Sequence, residues 1–208
     1  MKQHRVGILV FSEVEVLDFC GPFEVFSCTR LDENHLRESP SPFDVLLVAE
    51  WGAIITARGG LQVIPHHSFV TCPPLDILVI PGGYGVRREI DNDQVIDWIA
   101  RQGREVETVT SVCTGSMLLG KAGLLDGRTA TTHWQTFDWM QETFPLVSVD
   151  RSRHVVEDGT VITAAGISAG IDMALRVVVR YCGEAVARRT ARYMEYPYPE
   201  SLARRIDL

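Results

Sequence analysis

The chain has 208 residues, 46% of them hydrophobic, and a formal net charge of −7. This size and hydrophobic content favour a single folded unit with one substantial core. The excess of acidic side chains removes the attraction that nucleic-acid-binding proteins draw from clustered Lys and Arg, so we expect no nucleic-acid partner. The apolar run at 6–11 is too short for a signal peptide or a membrane span, which predicts a cytoplasmic protein with no membrane partner.

The cysteines indicate a reducing compartment. There are five of them, at irregular spacings and with no Cys-x-x-Cys pair: Cys20, Cys28, Cys72, Cys113 and Cys182. An odd number without a regular pattern disfavours both a disulfide framework and a zinc site. In a reducing compartment, each cysteine is then either a small buried hydrophobic residue or a reactive thiol.

Short apolar runs alternate with helical patterns along the chain. Buried parallel strands are predicted at 5–11, 43–49, 76–80 and 107–112. Helices are predicted at 17–30, 91–103, 117–122, 134–144, 171–181 and 184–194, and a β-hairpin at 154–163 that turns at Asp158-Gly159. The alternation predicts an open α/β sandwich with a mostly parallel sheet, in which ligands bind at the carboxyl ends of the strands.

The most informative segment is 108–120, where a β-branched strand runs into Cys113 and then into a helix. Ser111 lies two residues before the cysteine and Gly115 two residues after it. Small flanking residues are what a nucleophile elbow requires, because its sharp turn crowds its neighbours. A position at a helix N-terminus favours the thiolate, so the sequence predicts a lowered thiol pKa and an accessible, ionised sulfur. The alternative is a buried, unreactive cysteine.

A glycine-rich turn follows the strand at 76–80. Its sequence, Pro81-Gly82-Gly83-Tyr84-Gly85, lacks the G-x-G-x-x-G spacing of dinucleotide-binding sites, which disfavours such a cofactor. If the turn lies beside the elbow, free N–H groups of Gly82 and Gly83 together with that of Thr114 can form an oxyanion-type hole. The alternative is an ordinary tight turn.

Two further side chains are candidates for proton transfer. Asp18 lies among apolar residues just after the first strand, where burial raises a carboxyl pKa and makes it a proton donor; the alternative is a helix cap. His133 lies between a strand and a helix and is a candidate base, or else a structural histidine. Tyr84 and Trp134 are candidate wall residues of an apolar pocket, although aromatic residues at such positions are more often core. Ser168 is predicted to be the N-cap of a helix and Asp172 to lie in its first turn, which explains this segment without catalysis.

Together these segments resemble the ThiJ/PfpI superfamily, the flavodoxin-like relatives of class I glutamine amidotransferases. The similarity covers nearly the whole chain and is carried by Leu17-Asp18, Gly21-Pro22, Pro81-Gly82-Gly83, 111–116, 130–134, Gly170-Ile171-Asp172 and Glu195-Tyr196. Asp18 together with Cys113-Thr114 resembles the isocyanide hydratase branch. The resemblance implies a flavodoxin-like three-layer sandwich with a mostly parallel central sheet, formed by residues 1–195, with an extended tail at 196–208.

The resemblance also implies a hydro-lyase that adds water to an isocyanide and releases an N-formamide. In that reaction the Cys113 thiolate attacks the isocyanide carbon, and Asp18 in its acid form protonates the resulting thioimidate. Thr114 holds the nucleophile or the water. The resemblance implies a homodimer that uses neither a metal nor an organic cofactor.

The sequence differs from other branches of the superfamily at positions that bear on function. Thr114 replaces the histidine that follows the nucleophile in PfpI-type proteases, so peptidase activity is not expected. The glyoxalase and chaperone branches carry glutamate in place of Asp18. The AraC-type regulators add a C-terminal helix-turn-helix region, which we do not expect here because the sequence ends at Leu208. Two interpretations stay open besides the hydratase: a non-enzymatic cysteine redox sensor or ligand-binding domain, and a hydrolase acting on another small electrophile.

Overall fold

A seven-stranded sheet forms the centre of the structure, which is a computed structural model describing residues 3–32 and 39–204. Its spatial order is β10-β11-β7-β6-β1-β2-β5, with every neighbouring pair parallel except β10 and β11. These strands are β1 (His4–Leu9), β2 (Phe43–Ala49), β5 (His67–Ser68), β6 (Ile77–Ile80), β7 (Thr108–Val112), β10 (Val155–Asp158) and β11 (Val161–Ala164). Two small sheets pair β3 (Ile55–Thr56) with β4 (Gln62–Val63), and β8 (Thr129–Ala130) with β9 (Ser148–Val149).

Helices connect the strands. They are α1 (Val16–Cys28), α2 (Val86–Glu89), α3 (Asp93–Glu105), α4 (Gly115–Lys121), α5 (Phe137–Thr143), α6 (Ala169–Cys182) and α7 (Glu184–Tyr193). None of the helices in the described ranges is long and apolar enough to cross a membrane. The predicted α/β fold with a mostly parallel sheet is confirmed.

The longer predicted elements are present because their sequence patterns match how they are buried. β6 and β7 are buried along their whole length, as their continuous apolar and β-branched runs require. In α3 the Asn92 side chain caps the first turn by accepting from the Gln94 amide at 3.2 Å, and the buried residues form one stripe: Val95, Trp98 and Ile99.

Two kinds of element differ from the prediction. The helix predicted at 134–144 is a 3-10 turn at Trp134–Thr136 followed by α5, because the His133 side chain accepts the Gln135 amide at the start of the turn. The strands β3, β4, β5, β8 and β9 have two residues each, which is too short to give a periodic pattern.

The sheet brings four chain segments to one edge. β1, β6, β7 and β11 are adjacent and parallel, so the segments that follow their carboxyl ends meet. The register pairs Ile80 with Ser111 and Ala164 with Val112, which places the glycine turn after β6 and the segment after β11 on either side of Cys113. The candidate site lies at this edge, as expected for a parallel sheet.

Candidate active site

Cys113 occupies a sharp, strained turn between β7 and α4. Its φ angle is 56°, in the left-handed region that non-glycine residues seldom adopt. The turn is held by its N–H group, which is shared between the carbonyl oxygens of Ala164 at 3.1 Å and Ala165 at 3.0 Å. A Cβ atom at Gly115 would lie 2.0 Å from the carbonyl oxygen of Ile80, so only glycine fits there. The structure therefore has the elbow geometry that the sequence predicts.

The protonation state of Cys113 differs from the prediction. The side chain is only 7% exposed, and burial, followed by the charge of Asp18, raises the pKa of its thiol to about 12. The hydrogen bonds of Thr114 to the sulfur act in the opposite direction but are outweighed. α4 has only seven residues, and its dipole does not overcome the cost of burying an anion. The expectation of a free thiolate was wrong, because desolvation dominates.

Asp18 is the third residue of α1 and is completely buried. Its Oδ2 atom accepts the N–H of Gly82 at 2.9 Å. Burial raises the pKa of Asp18 to about 8; the nearby charge of Glu15 adds to this rise, while hydrogen bonds from Gly82 and Cys113 reduce it. At neutral pH this carboxyl group is therefore mainly in its acid form, and it is in contact with the thiol. Asp18 is a buried acid and not the helix cap that was the alternative.

The amides of the glycine turn are not free. The N–H of Gly82 donates to Asp18, and the N–H of Gly83 donates to the hydroxyl oxygen of Thr114 at 3.1 Å. The expectation that the N–H groups of Gly82 and Gly83 are free to form an oxyanion-type hole was therefore wrong. Both N–H groups are already bound, and their hydrogen bonds connect the glycine turn to Asp18 and Thr114. The backbone N–H of Thr114 faces the Cys113 sulfur instead and lowers the pKa of that thiol. Of the three predicted donors, this amide is the one positioned to stabilise an anion on the sulfur.

A cavity of about 320 Å³ opens beside Cys113. The structure places the predicted Cys113, Thr114, Gly83, Tyr84 and His133 around it. Sequence reasoning missed the other lining residues, namely Glu15, Arg58, Arg87, Gln135, Thr136 and Ile167. Of these, only Glu15 carries a sequence signal, as an acid three residues before Asp18; the others come from short helical segments and a turn whose positions depend on the tertiary fold.

The aromatic residues predicted to line the pocket divide between two cavities. Tyr84 lies at the mouth of the Cys113 cavity with its ring against the guanidinium groups of Arg87 and Arg58. Trp134 instead lines a second cavity, which adjoins the first and shares His133 and Ile167 with it, and its side chain is 46% exposed. Neither residue is core.

His133 lies between the two cavities. Burial, together with the positive charge of Arg204, lowers the pKa of His133, so the ring is neutral at neutral pH. Its Nδ1 atom accepts the Gln135 amide at 3.3 Å, which leaves the proton of the neutral ring on Nε2. With that tautomer neither nitrogen has a free lone pair to take a proton from water. The predicted base role is therefore not supported by this arrangement.

Asp172 binds side chains and does not act as a helix cap. Its carboxylate pairs with His154 Nε2 at 2.9 Å and accepts the hydroxyl of Tyr196 at 2.9 Å, and the side chain is fully buried. Ser168 stands at the N-cap position of α6, but its side chain makes no capping hydrogen bond. Ser168 and Asp172 thus stand where the sequence predicts, at the N-cap and in the first turn of α6, but the expected capping hydrogen bond of Ser168 is not formed. Asp172, His154 and Tyr196 link α6, the start of β10 and the segment after α7.

The DJ-1/PfpI family pattern matches residues 4–180, which include the elbow, the glycine turn and Asp18. The chain belongs to the DJ-1/PfpI family. The resemblance to the ThiJ/PfpI superfamily drawn from the sequence motifs is confirmed.

Two curated relatives in the DJ-1/PfpI family differ in kind. The isonitrile hydratase of Pseudomonas putida is 37% identical over 194 residues, which cover 92% of this chain and 78% of that enzyme. The HTH-type transcriptional regulator GbdR of Pseudomonas aeruginosa is 32% identical over 152 residues, 70% of this chain and 39% of the regulator. This chain is thus similar both to an enzyme and to a part of a transcriptional regulator.

Solved structures give the same fold. A THiJ/PfpI family protein from Pseudomonas syringae superimposes with a TM-score of 0.84 and 31% identity, covering 97% of this chain and 78% of that one. DJ-1beta of Drosophila melanogaster superimposes with a TM-score of 0.79 at 18% identity, covering 94% and 100%. At that identity the second likeness shows the DJ-1 fold alone.

Proposed function

We propose that this protein is an isocyanide (isonitrile) hydratase, which converts R–N≡C and water into the formamide R–NH–CHO. The observation that carries the proposal is the buried carboxyl group of Asp18, held in its acid form against the Cys113 thiol. A proton donor and a nucleophile in contact are what the reaction requires. The similarity to the isonitrile hydratase of Pseudomonas putida supports the same substrate class.

The first step joins the sulfur to the substrate. The isocyanide carbon accepts an electron pair from Cys113 Sγ and must also gain a proton. Asp18 donates its proton to that carbon and takes the thiol proton in exchange, which gives the thioimidate R–N=CH–S on Cys113 and restores the acid. Asp18 is suited to this exchange because Oδ2 is fixed by Gly82, whereas the buried Oδ1 has no other partner of normal hydrogen-bond geometry within the described chain.

This exchange also explains how a thiol with a high pKa can react. At neutral pH a thiol with a pKa of about 12 is almost entirely protonated, so attack by a pre-formed thiolate is slow. The proton that the thiol loses replaces the proton that the product carbon gains. Coupling the two transfers through Asp18 avoids placing a free charge in the buried site, where it would cost most.

The second step hydrolyses the thioimidate. Water adds across the C=N bond: its oxygen bonds to carbon, Asp18 gives a proton to nitrogen and receives one from the water. The C–S bond then breaks as the hydroxyl proton returns to the sulfur through Asp18, which releases the formamide and the free thiol. The backbone N–H of Thr114 faces the sulfur and stabilises the negative charge that develops on it as the bond breaks. Substrate and water supply every atom of the product.

A second candidate function is a ligand-binding domain without turnover. The similarity to GbdR favours it, since that relative is named as a transcriptional regulator and not as an enzyme. The raised pKa of Cys113 argues against the related interpretation as a redox sensor, because the thiolate is the form that oxidants attack.

The experiment mixes the purified protein with an aryl isocyanide and follows formamide formation by mass spectrometry. We expect multiple turnovers that Cys113→Ala abolishes and that Cys182→Ala, which removes a half-buried free thiol elsewhere, leaves unchanged. Turnover that survives Cys113→Ala contradicts the mechanism. Saturable binding of the isocyanide without turnover favours the ligand-binding alternative.

A further inference from the structure

A second cavity adjoins the one that contains Cys113. It has a volume of about 290 Å³ and is lined by His133, Trp134, His154, Ala165, Gly166, Ile167, Ser168 and Arg204. His133 and Ile167 line both cavities, so the two cavities are neighbours. A substrate bound at the sulfur has this second space directly beyond His133.

Arg204 gives the second cavity its charge. Its guanidinium group is held by carbonyl and hydroxyl oxygens: Nε donates to Arg151 O at 3.0 Å, and Nη2 approaches Arg153 O at 3.4 Å and Thr131 Oγ1 at 3.5 Å. The group also lies over the Phe137 ring at 5.0 Å. These contacts fix the position of the guanidinium group without neutralising it.

No carboxylate within the described residues forms an ion pair with Arg204. The acid that acts on it electrostatically, Asp150, is bound at 2.6 Å to Arg153. The lining of the second cavity contains no Asp or Glu, and the Asp172 carboxylate behind its wall is paired with His154. An arginine fixed at a cavity wall with no acid facing it favours an anion in that cavity.

Two neutral donors accompany the arginine. The His133 ring packs edge-on against Gly166, which also lines this cavity: a Cβ atom at Gly166 would lie 2.2 Å from Cδ2 and 3.1 Å from Nε2, the nitrogen that carries the proton. The exposed hydroxyl of Ser168 is not used for capping. A planar guanidinium with flanking N–H and O–H donors matches the geometry of a carboxylate, which accepts several hydrogen bonds at once.

We infer that the second cavity binds the carboxylate of a substrate whose isocyanide group reacts at Cys113, so that the natural substrate is an isocyanide bearing an acidic group. This inference rests on the proposed function and names its substrate class. Arg204 is the specificity-determining residue, and His133, instead of acting as a base, donates to the carboxylate from the wall between the two cavities.

The test uses ω-isocyanoalkanoates of increasing chain length, each paired with its neutral methyl ester, on the full chain. We expect kcat/KM to favour one acid over its ester, and Arg204→Met to remove about 10- to 100-fold of activity on that acid, as for loss of a hydrogen bond to a charged group, while sparing the ester. Arg101→Met is the matched control: Arg101 is an exposed residue of α3 that lines neither cavity, so both substrates should react as with the parent protein.

Calorimetric binding of the corresponding ω-formamidoalkanoate and its methyl ester gives a readout that does not require turnover. If the parent protein binds the acid more tightly than the ester and Arg204→Met removes this difference, the result supports the carboxylate subsite. This holds even if no isocyanide is hydrated, and in that case only the proposed function fails. Turnover of esters and acids at equal rates, together with equal binding of the two products, overturns the inference and leaves the hydratase proposal standing.

Discussion

Asp18 and Gly82 are joined by a hydrogen bond of 2.9 Å between a buried carboxyl oxygen and a backbone N–H. The bond ties α1, which follows β1, to the turn that follows β6. It fixes one oxygen of a carboxyl group that is also in hydrogen-bond contact with the Cys113 side chain, so a single backbone donor orients the proposed proton donor. The proposed chemistry therefore depends on this bond and on the elbow beside it.

Asp18→Asn should abolish most of the hydratase activity. The amide oxygen of Asn can still accept the Gly82 N–H, but the side chain cannot donate and recover a proton, so we expect kcat/KM on an aryl isocyanide to fall by about 10²- to 10⁴-fold. Steady-state kinetics at neutral pH measures this, with circular dichroism as the check on folding. An Asn variant that retains most of its activity would exclude Asp18 as the proton relay.

The stability of the protein should fall as the pH rises through the titration range of Asp18. The ordinary pKa of an aspartate side chain, which applies to the unfolded chain, is 3.8, whereas the pKa of Asp18 in the folded protein is about 8. Between these values the folded state binds more protons than the unfolded state. The contribution of Asp18 to the free energy of unfolding is complete below pH 3.8 and is gone above about pH 8. Between these values the free energy of unfolding falls by up to about 1.4 kcal/mol per pH unit.

Urea unfolding of the parent protein and of Asp18→Asn across this pH range measures the effect. The difference in unfolding free energy between them should change with pH in favour of the Asn variant, which lacks the titrating group. Parallel curves for the two proteins would show that Asp18 ionises normally.

Alkylation of Cys113 should keep accelerating at alkaline pH. A free cysteine with a pKa of about 8.5 reaches its limiting rate in mildly alkaline solution, whereas burial and the charge of Asp18 raise the pKa of Cys113 to about 12. Asp18→Asn should lower this pKa, because it removes the second of these causes. Mass spectrometry of iodoacetamide-treated protein follows the Cys113 peptide across the pH range, and a small free thiol in the same solution is the reference for an ordinary pKa. A rate that levels off near neutral pH would instead indicate a thiolate.

Gly115→Ala and Gly123→Ala should separate a steric effect at the elbow from backbone strain. A Cβ atom at Gly115 meets the Ile80 carbonyl at 2.0 Å, whereas Gly123 has open space and a φ of 71°. Both variants should lose stability, the first by about 1–3 kcal/mol or more from overpacking and the second by about 1 kcal/mol from the left-handed backbone.

Only Gly115→Ala should also lose activity, because relieving its clash displaces Cys113 from the turn. Chemical denaturation and hydratase assays on the same samples give both quantities. Equal activity in the two variants would show that the elbow tolerates a shift of its helix.

The sequence by itself determined the fold and singled out Cys113 and Asp18, which the tertiary structure brings into contact. Continuous apolar runs, such as those that form β6 and β7, are recognisable because strands buried on both faces need no polar positions. Cys113 was identifiable because the small residues around a nucleophile elbow are a local steric requirement, met by Gly115. Asp18 was identifiable because a lone acid within an apolar stretch is costly to bury without a role.

The tertiary structure decided the protonation states and the partners. Whether the thiol of Cys113 is charged depends on how completely other elements exclude water from it and on Asp18, which lies 95 residues earlier in the chain. Local sequence favours the thiolate through the helix end, but desolvation by distant segments is the larger contribution. The occupied amides of Gly82 and Gly83 and the placement of Arg204 near His133 likewise arise from contacts between segments far apart in sequence, which no local pattern encodes.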